Sequence, residues 1–211
     1  MEARAHQFED AQQQEEAATL GMWVFLATEV LLFGALLMAY AVYRSTYPAI
    51  FAEASRHLNV YLGTFNTAVL LCSSLAMAFA VNEAQRGRNR YVVGYLGVTL
   101  VLGVAFLAIK SYEYYTKYEE GLLPGTAFSW SGNEAMHASL FFLFYFILTG
   151  LHALHMVIGL GMLSIFLVGA LRKQFSADRY TAINLGGLYW HFVDIVWVFL
   201  FPLLYLVDRT S

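Results

Sequence analysis

Five side chains stand where chemistry in an apolar medium is conceivable: Glu29, His152, His155, His191 and Asp194. His152 and His155 are three residues apart on one helix face, and so are His191 and Asp194, a spacing that can ligate iron or zinc. One histidine on each of two facing helices would also hold a haem. The other chemistry is simpler. A carboxyl and an imidazole that meet away from water supply each other's missing hydrogen-bond partner. The surroundings favour the second reading, because Ala153, Leu154 and Met156 flank the histidines and no third or fourth ligand recurs at a matching spacing. Structural histidines and no metal in this chain are therefore expected. Glu29 should meet a histidine, and Asp194 should bond to His191 or to a neighbouring chain. A backbone or tryptophan N–H is the alternative partner for Asp194.

The elements that must position these groups are membrane spans. Hydrophobic residues make up 59% of the 211 and charged ones 13%, where a soluble domain has about a quarter charged. Segments 20–42, 60–82, 91–112, 139–170 and 184–207 are each apolar enough to cross a hydrocarbon core, which takes about 20 residues. Helix is the state that leaves no backbone group unpaired in lipid. The expected fold is all-α: a bundle of five transmembrane helices formed by residues 20–211, after an acidic polar tail over 1–19. Residues 1–17 lack the basic-then-apolar pattern of a secretory signal. The net charge of −3 gives no footing for nucleic acid. The single Cys72 lies in an apolar run and supports no disulfide framework.

Depth and face follow from these spans. Glu29, His155 and Asp194 each fall near mid-span, with His152 a turn outward from His155. In the last helix Trp190, Asp194 and Trp197 share a face by i, i+4, i+7 spacing, with His191 beside them. Gly63, Asn66, Thr67, Ser73 and Ser74 form a small, weakly polar face on the second span. Gly94, Gly97, Val101, Val104 and Ala108 form a similar stripe on the third, and Gly159 is a small position on the fourth. Such faces are how helices approach closely in lipid, so Asn66, Ser73, Gly97, Gly159, Trp190 and Trp197 are assigned to packing. Glu113, at the end of the third span, is expected to meet water or the 113–138 connection. The basic clusters RGRNR and LRK abut helix ends on the side shared by the N-terminus, which places that side inside and the C-terminus outside; Lys110 is counted with the outside charges. No Gly-rich phosphate loop, nucleophile elbow or CxxC pair is present. Pro202 is the only proline within a span, so the broken helices of a transporter site are missing.

The ordered set LGMWVFLATEVLLFGALLMAY, NTAVLLCSS, FLAIKSYEY, SLFFLFYFILTGLHALHMVIG and YWHFVDIVWVFLFPLLY resembles subunit III of the haem-copper respiratory oxidases, in its short bacterial cytochrome c oxidase form. The resemblance implies an accessory, metal-free subunit of a proton-pumping oxygen reductase in the bacterial cytoplasmic membrane, with haem and copper in partner subunits. It implies direct packing on subunit I, an assembly with subunit II and, where one is present, a small subunit IV, and bound phospholipid. Cytochrome c or quinol would be met only through other subunits. Support of proton uptake and of stable turnover is the implied task. Glu29 falls on the family's carbodiimide-reactive glutamate, His152 and His155 on its paired histidines, and Trp190, His191 and Asp194 on its WHFVD segment. Two departures accompany the likeness. Longer members have seven spans, of which this chain begins at the third. A segment usually HGLH reads HALH, with Ala153 in place of glycine. Subunit III of a quinol oxidase and a nitric-oxide-reductase accessory protein are the nearest alternatives; a haem-bearing anchor using His152 or His155 with His191 lies outside the family.

Overall fold

A computed structural model describes residues 11–125, 128–130, 134–173, 175 and 180–207. Six helices account for nearly all of them: α1 (Ala11–Thr46), α2 (Pro48–Arg56), α3 (Val60–Gln85), α4 (Asn89–Glu119), α5 (Ala135–Leu171) and α6 (Thr181–Tyr205). Among the described residues there is no strand. All but α2 are long and apolar enough to cross a membrane, so the all-α, five-span architecture read from the sequence is the observed one. The helices outrun the apolar segments. The described part of α1 already includes residues 11–19, where AQQQEEAAT contains good helix formers and no Gly or Pro. Residues 11–19 of the expected tail are therefore helical, and 1–10 lie outside the described residues.

α2 is an element not expected from the sequence, being too short to register as a span. Pro48 ends α1, since the residue before a proline is pushed out of the α region and Tyr47 adopts φ −126°, ψ 56°. The same proline opens α2, where its fixed φ suits the first turn and its missing N–H costs nothing. α2 lays Ile50, Phe51, Ala54 and Ser55 against the bundle. Two helix ends close on glycines with positive φ, Gly87 at 68° and Gly121 at 71°. There the amides of Arg88 and Leu122 bond back to the carbonyls of Glu83 and Lys117, an end that requires the left-handed conformation glycine reaches without strain.

Helices α3, α4, α5 and α6 form a ring in which each touches its two neighbours, and α1 lies outside it against α5 and α6. Trp190 of α6 sits at the centre. A Cβ at Gly103 of α4 would come within 2.9 Å of its ring, and one at Gly159 of α5 within 2.9 Å of the other edge. Its indole N–H donates to Ser73 Oγ of α3 at 3.2 Å. Trp190 thus touches the other three ring helices, and two glycines make room for it.

The third-span stripe needs correction. Gly97 has open space where a Cβ would project, and Val101 and Val104 are exposed. The buried face of α4 runs instead through Val92, Leu96, Thr99, Gly103, Phe106, Lys110 and Glu113. Both faces of a lipid-embedded helix are apolar, so residue type alone does not show which one packs. Gly97→Leu should leave the thermal midpoint in detergent unchanged, whereas Gly103→Leu should lower stability by about 1–3 kcal/mol through overpacking against Leu160 and Trp190.

Candidate functional site

Glu29 lies in the one seam that holds α1 to the bundle. Leu26, Phe33 and Tyr40 are its buried residues, with Met22, Leu36 and Leu37 partly buried beside them. These positions alternate three and four apart, and Glu29 occupies the step between Leu26 and Phe33. Its Oε2 is 3.0 Å from Nε2 of His155 on α5. His155 Nδ1 is 2.8 Å from the Leu151 carbonyl oxygen. A carbonyl only accepts, so Nδ1 must carry a hydrogen. One proton then remains for the Nε2–Oε2 contact, whether it rests on the carboxyl or on the imidazole. The pair has no net charge in either form, which makes it tolerable in a low dielectric. Tyr189 of α6 donates to the His155 carbonyl at 2.9 Å, and the rings of Phe33 and Tyr189 cover the imidazole.

The other expected residues are placed differently from one another. His191 meets Ser74 Oγ of α3 through Nδ1 at 2.8 Å and does not bond Asp194. Asp194 is 3% exposed, and Ser74 is the side chain placed to interact with it. Neither carboxylate oxygen of Asp194 has a hydrogen bond of ordinary geometry among the described residues, while the Ser74 hydroxyl beside it meets His191 Nδ1. The expected His191–Asp194 bond is absent: His191 Nδ1 pairs with Ser74 Oγ of α3 instead. Trp197 Nε1 donates to Thr67 Oγ1 at 3.0 Å, and Thr67 donates on to the Gly63 carbonyl at 2.8 Å. Ser73 repeats the device, accepting from Trp190 and donating to the Thr99 carbonyl at 3.3 Å. Asn66 Nδ2 donates to the Phe106 carbonyl at 3.4 Å. His152 is fully buried between Phe106 and Trp197, with both ring nitrogens unbonded.

The strongest polar constellation was not expected. Lys110 and Glu113, placed by the sequence reading toward water, are 2% and 3% exposed. Lys110 Nζ donates to Glu113 Oε2 at 3.0 Å, Tyr145 OH at 3.0 Å and Tyr205 OH at 2.6 Å. Tyr205 OH donates to Glu113 Oε1 at 2.7 Å. All three ammonium hydrogens are used, within a box of Tyr114, Tyr145, Trp197 and Tyr205 rings 4.6–5.3 Å from Nζ. The signal available was the i, i+3 spacing in KSYE, which pairs the two charges on one helix face. Tyr205 is the last residue of α6, whose terminal carbonyls are also met from outside: Leu203 by Tyr40 OH and Leu204 by Ser55 Oγ. Lys117 in turn donates to the His57 carbonyl at the end of α2. The same end of the bundle, called here the α2 end, has a cavity of ≈ 440 Å³ whose lining includes Glu113, Arg56, Lys117 and Glu120.

Among the described residues no three of His, Cys, Asp or Glu converge as a metal site. His155 has both nitrogens engaged, and His152 packs against the Phe106 and Trp197 rings. What this arrangement can do is hold charge and protons in fixed places. Lys110→Met should lower stability by roughly 3–5 kcal/mol by stranding Glu113, while Lys110→Met with Glu113→Gln should recover most of that loss. Thermal denaturation followed by circular dichroism tests the pair. Glu29→Gln keeps a donor for His155 Nε2 and should be near neutral. Glu29→Leu strands that nitrogen and should cost about 1–3 kcal/mol in the same measurement.

A family profile described as cytochrome c oxidase subunit III matches residues 3–208. The chain is 32% identical to cytochrome c oxidase subunit 3 of Synechocystis sp., over 89% of this chain and 74% of that protein. It is 30% identical to quinol oxidase subunit 3 of Bacillus subtilis, over 89% of this chain and 86% of that one. Cytochrome bo(3) ubiquinol oxidase subunit 3 of Pseudomonas putida is 29% identical, over 91% of this chain and 86% of that one. The match takes in all five spans and every buried pair described above, and the chain belongs to the cytochrome c oxidase subunit III family.

Proposed function

We propose that this chain is the accessory subunit III of a haem-copper oxygen reductase, in the cytoplasmic membrane of a bacterium. The observation that carries the reading is the family match across the whole bundle, residues 3–208. In this role the chain performs no redox step itself. It packs on subunit I, within an assembly that includes subunit II, where haem and copper do the chemistry, and it holds phospholipid against its flank. α1 is the least enclosed of the spans, with Trp23, Val30, Leu31 and Met38 all exposed. That apolar flank suits lipid and a neighbouring transmembrane subunit alike. Its contribution is mechanical and electrostatic. The Glu29–His155 pair ties α1 to α5, and the Lys110 cluster ties α4, α5 and α6.

The N-terminus lies inside and the C-terminus outside. Arg86, Arg88 and Arg90 cluster at the α3–α4 turn, with Arg172 and Lys173 at the same end, as the positive-inside rule asks. Exposed Tyr43, Tyr61, Tyr112, Tyr115 and Tyr118 gather at the α2 end, suited to a headgroup layer.

A quinol oxidase is the second reading of the host complex. It is favoured by relatives of near-equal identity named for quinol and for cytochrome c. Electron-donor binding falls to other subunits, and this chain serves either. Copurification through a tag on this chain should bring down a haem-copper subunit I, identified by mass spectrometry; recovery of the chain alone, or with haem bound to it, contradicts the proposal. In the assembled oxidase, Glu29→Gln should leave turnover largely intact. A complete loss of proton pumping with normal assembly would show that Glu29 carries transported protons instead.

A further inference from the structure

His191 lies within a turn of the middle of α6, a depth at which lipid offers no hydrogen bond. Its Nδ1 meets Ser74 Oγ of α3 at 2.8 Å, and among the described residues that is its hydrogen bond. The other ring nitrogen, Nε2, is left over. His191 is partly exposed, and Nε2 reaches the outer surface of the bundle. Asp194, three residues on, is buried and bonds neither nitrogen. Whether Nε2 carries the N–H or the lone pair, it is a polar atom at mid-membrane whose partner this chain does not supply. Such an atom costs free energy against hydrocarbon and is expected to face protein.

The surface around it has the form of a helix seat. α1 and α3 pack on different flanks of α6 and do not touch each other. α1 reaches α6 through Phe25 on Tyr189 and Phe33 on Phe192, and α3 reaches it through Ser74 on His191 and Thr67 on Trp197. Between those flanks His191, Ile195 and Phe199 recur at i, i+4 and i+8 as one stripe, with Ile195 and Phe199 exposed. Leu71 and Leu75, beside Ser74 on α3, are exposed as well and widen it.

We infer that this stripe seats a transmembrane helix of a partner subunit of the host oxidase, which sets a hydroxyl, carboxamide or carboxyl side chain against His191 Nε2. Apolar contact alone does not select protein over lipid here, because acyl chains match Ile195 and Phe199 equally well. The imidazole does select. An acyl chain makes no hydrogen bond, and a headgroup stays about 15 Å away, half the thickness of the hydrocarbon core. A helix is the occupant because it carries a polar side chain to that depth with its own backbone groups satisfied. The identity of the partner rests on the proposed reading of this chain as subunit III; the need of a polar neighbour at His191 does not.

The test is photocrosslinking of the full chain in its native membrane, with Ile195→p-benzoylphenylalanine as the probe and mass spectrometry of the product. A crosslink to a transmembrane segment of another oxidase subunit is the expected result. Crosslinks to lipid alone, or to a second copy of this chain, overturn the inference. Copurification of the unaltered chain separates the two readings: if it brings down subunit I while Ile195 crosslinks only to lipid, the docking face falls and the function stands. If it brings down no oxidase subunit, both fall. In the same complex, His191→Phe should lower the partner retained through detergent washing about fivefold. His191→Gln, whose amide can donate or accept at the Nε2 position, should keep most of it. Retention in a folded His191→Phe variant equal to that of the unaltered chain overturns the role of the imidazole, and the crosslink, made with His191 in place, stands as a test even where that variant does not fold.

Discussion

A polar group at mid-membrane finds no water, so whatever satisfies it must be another part of protein. That constraint organises this bundle more firmly than apolar packing does. Lipid tails compete with side chains for apolar contact, and burial of leucine against leucine drives helices together only weakly in a bilayer. The contacts that specify a partner are the polar ones. Lys110 brings Glu113, Tyr145 and Tyr205 to one point, and three helices must meet there for its three hydrogens to be used.

The same logic explains the α2 end. A helix leaves its last carbonyls without intrahelical donors, and those of α6 receive them from Tyr40 of α1 and Ser55 of α2. α2 is a short helix whose use lies in where it delivers Ser55 and in the carbonyl of His57 that Lys117 meets. Taken with the Lys110 cluster, these bonds fix the C-terminal turn of α6 from α1, α2 and α4. At the opposite end of the bundle Asn89 Nδ2 donates to the Ala170 carbonyl, and the buried Glu83 carboxylate meets the exposed guanidinium groups of Arg86 and Arg88.

Between the two ends, small residues and hydroxyls let aromatic rings into the interior. Trp190 rests on Gly103 and Gly159, while Ser73 and Thr67 accept the indole N–H groups of Trp190 and Trp197. Each hydroxyl then donates to a backbone carbonyl, which leaves no polar atom of these pairs unsatisfied. α1 has a hydrogen-bonded tether at mid-depth, Glu29 to His155. Its apolar seam of Leu26, Phe33 and Tyr40 sets the register in which that tether can form.

The number of spans, their helical state and the need of Glu29 for an imidazole were legible in the sequence, because hydropathy and the cost of a buried charge are properties of the residues themselves. Which histidine Glu29 meets was not: His152 and His155 differ by one turn, and the rotation of α5 decides that His155 faces α1 and His152 faces the bundle axis. The same holds for Gly97 against Gly103, and for Lys110, whose long side chain could as well have reached water beyond the helix end. In a soluble helix the polar face would have revealed these rotations. In lipid both faces are apolar, so the angle of each helix is set only when its few polar atoms find partners on the others.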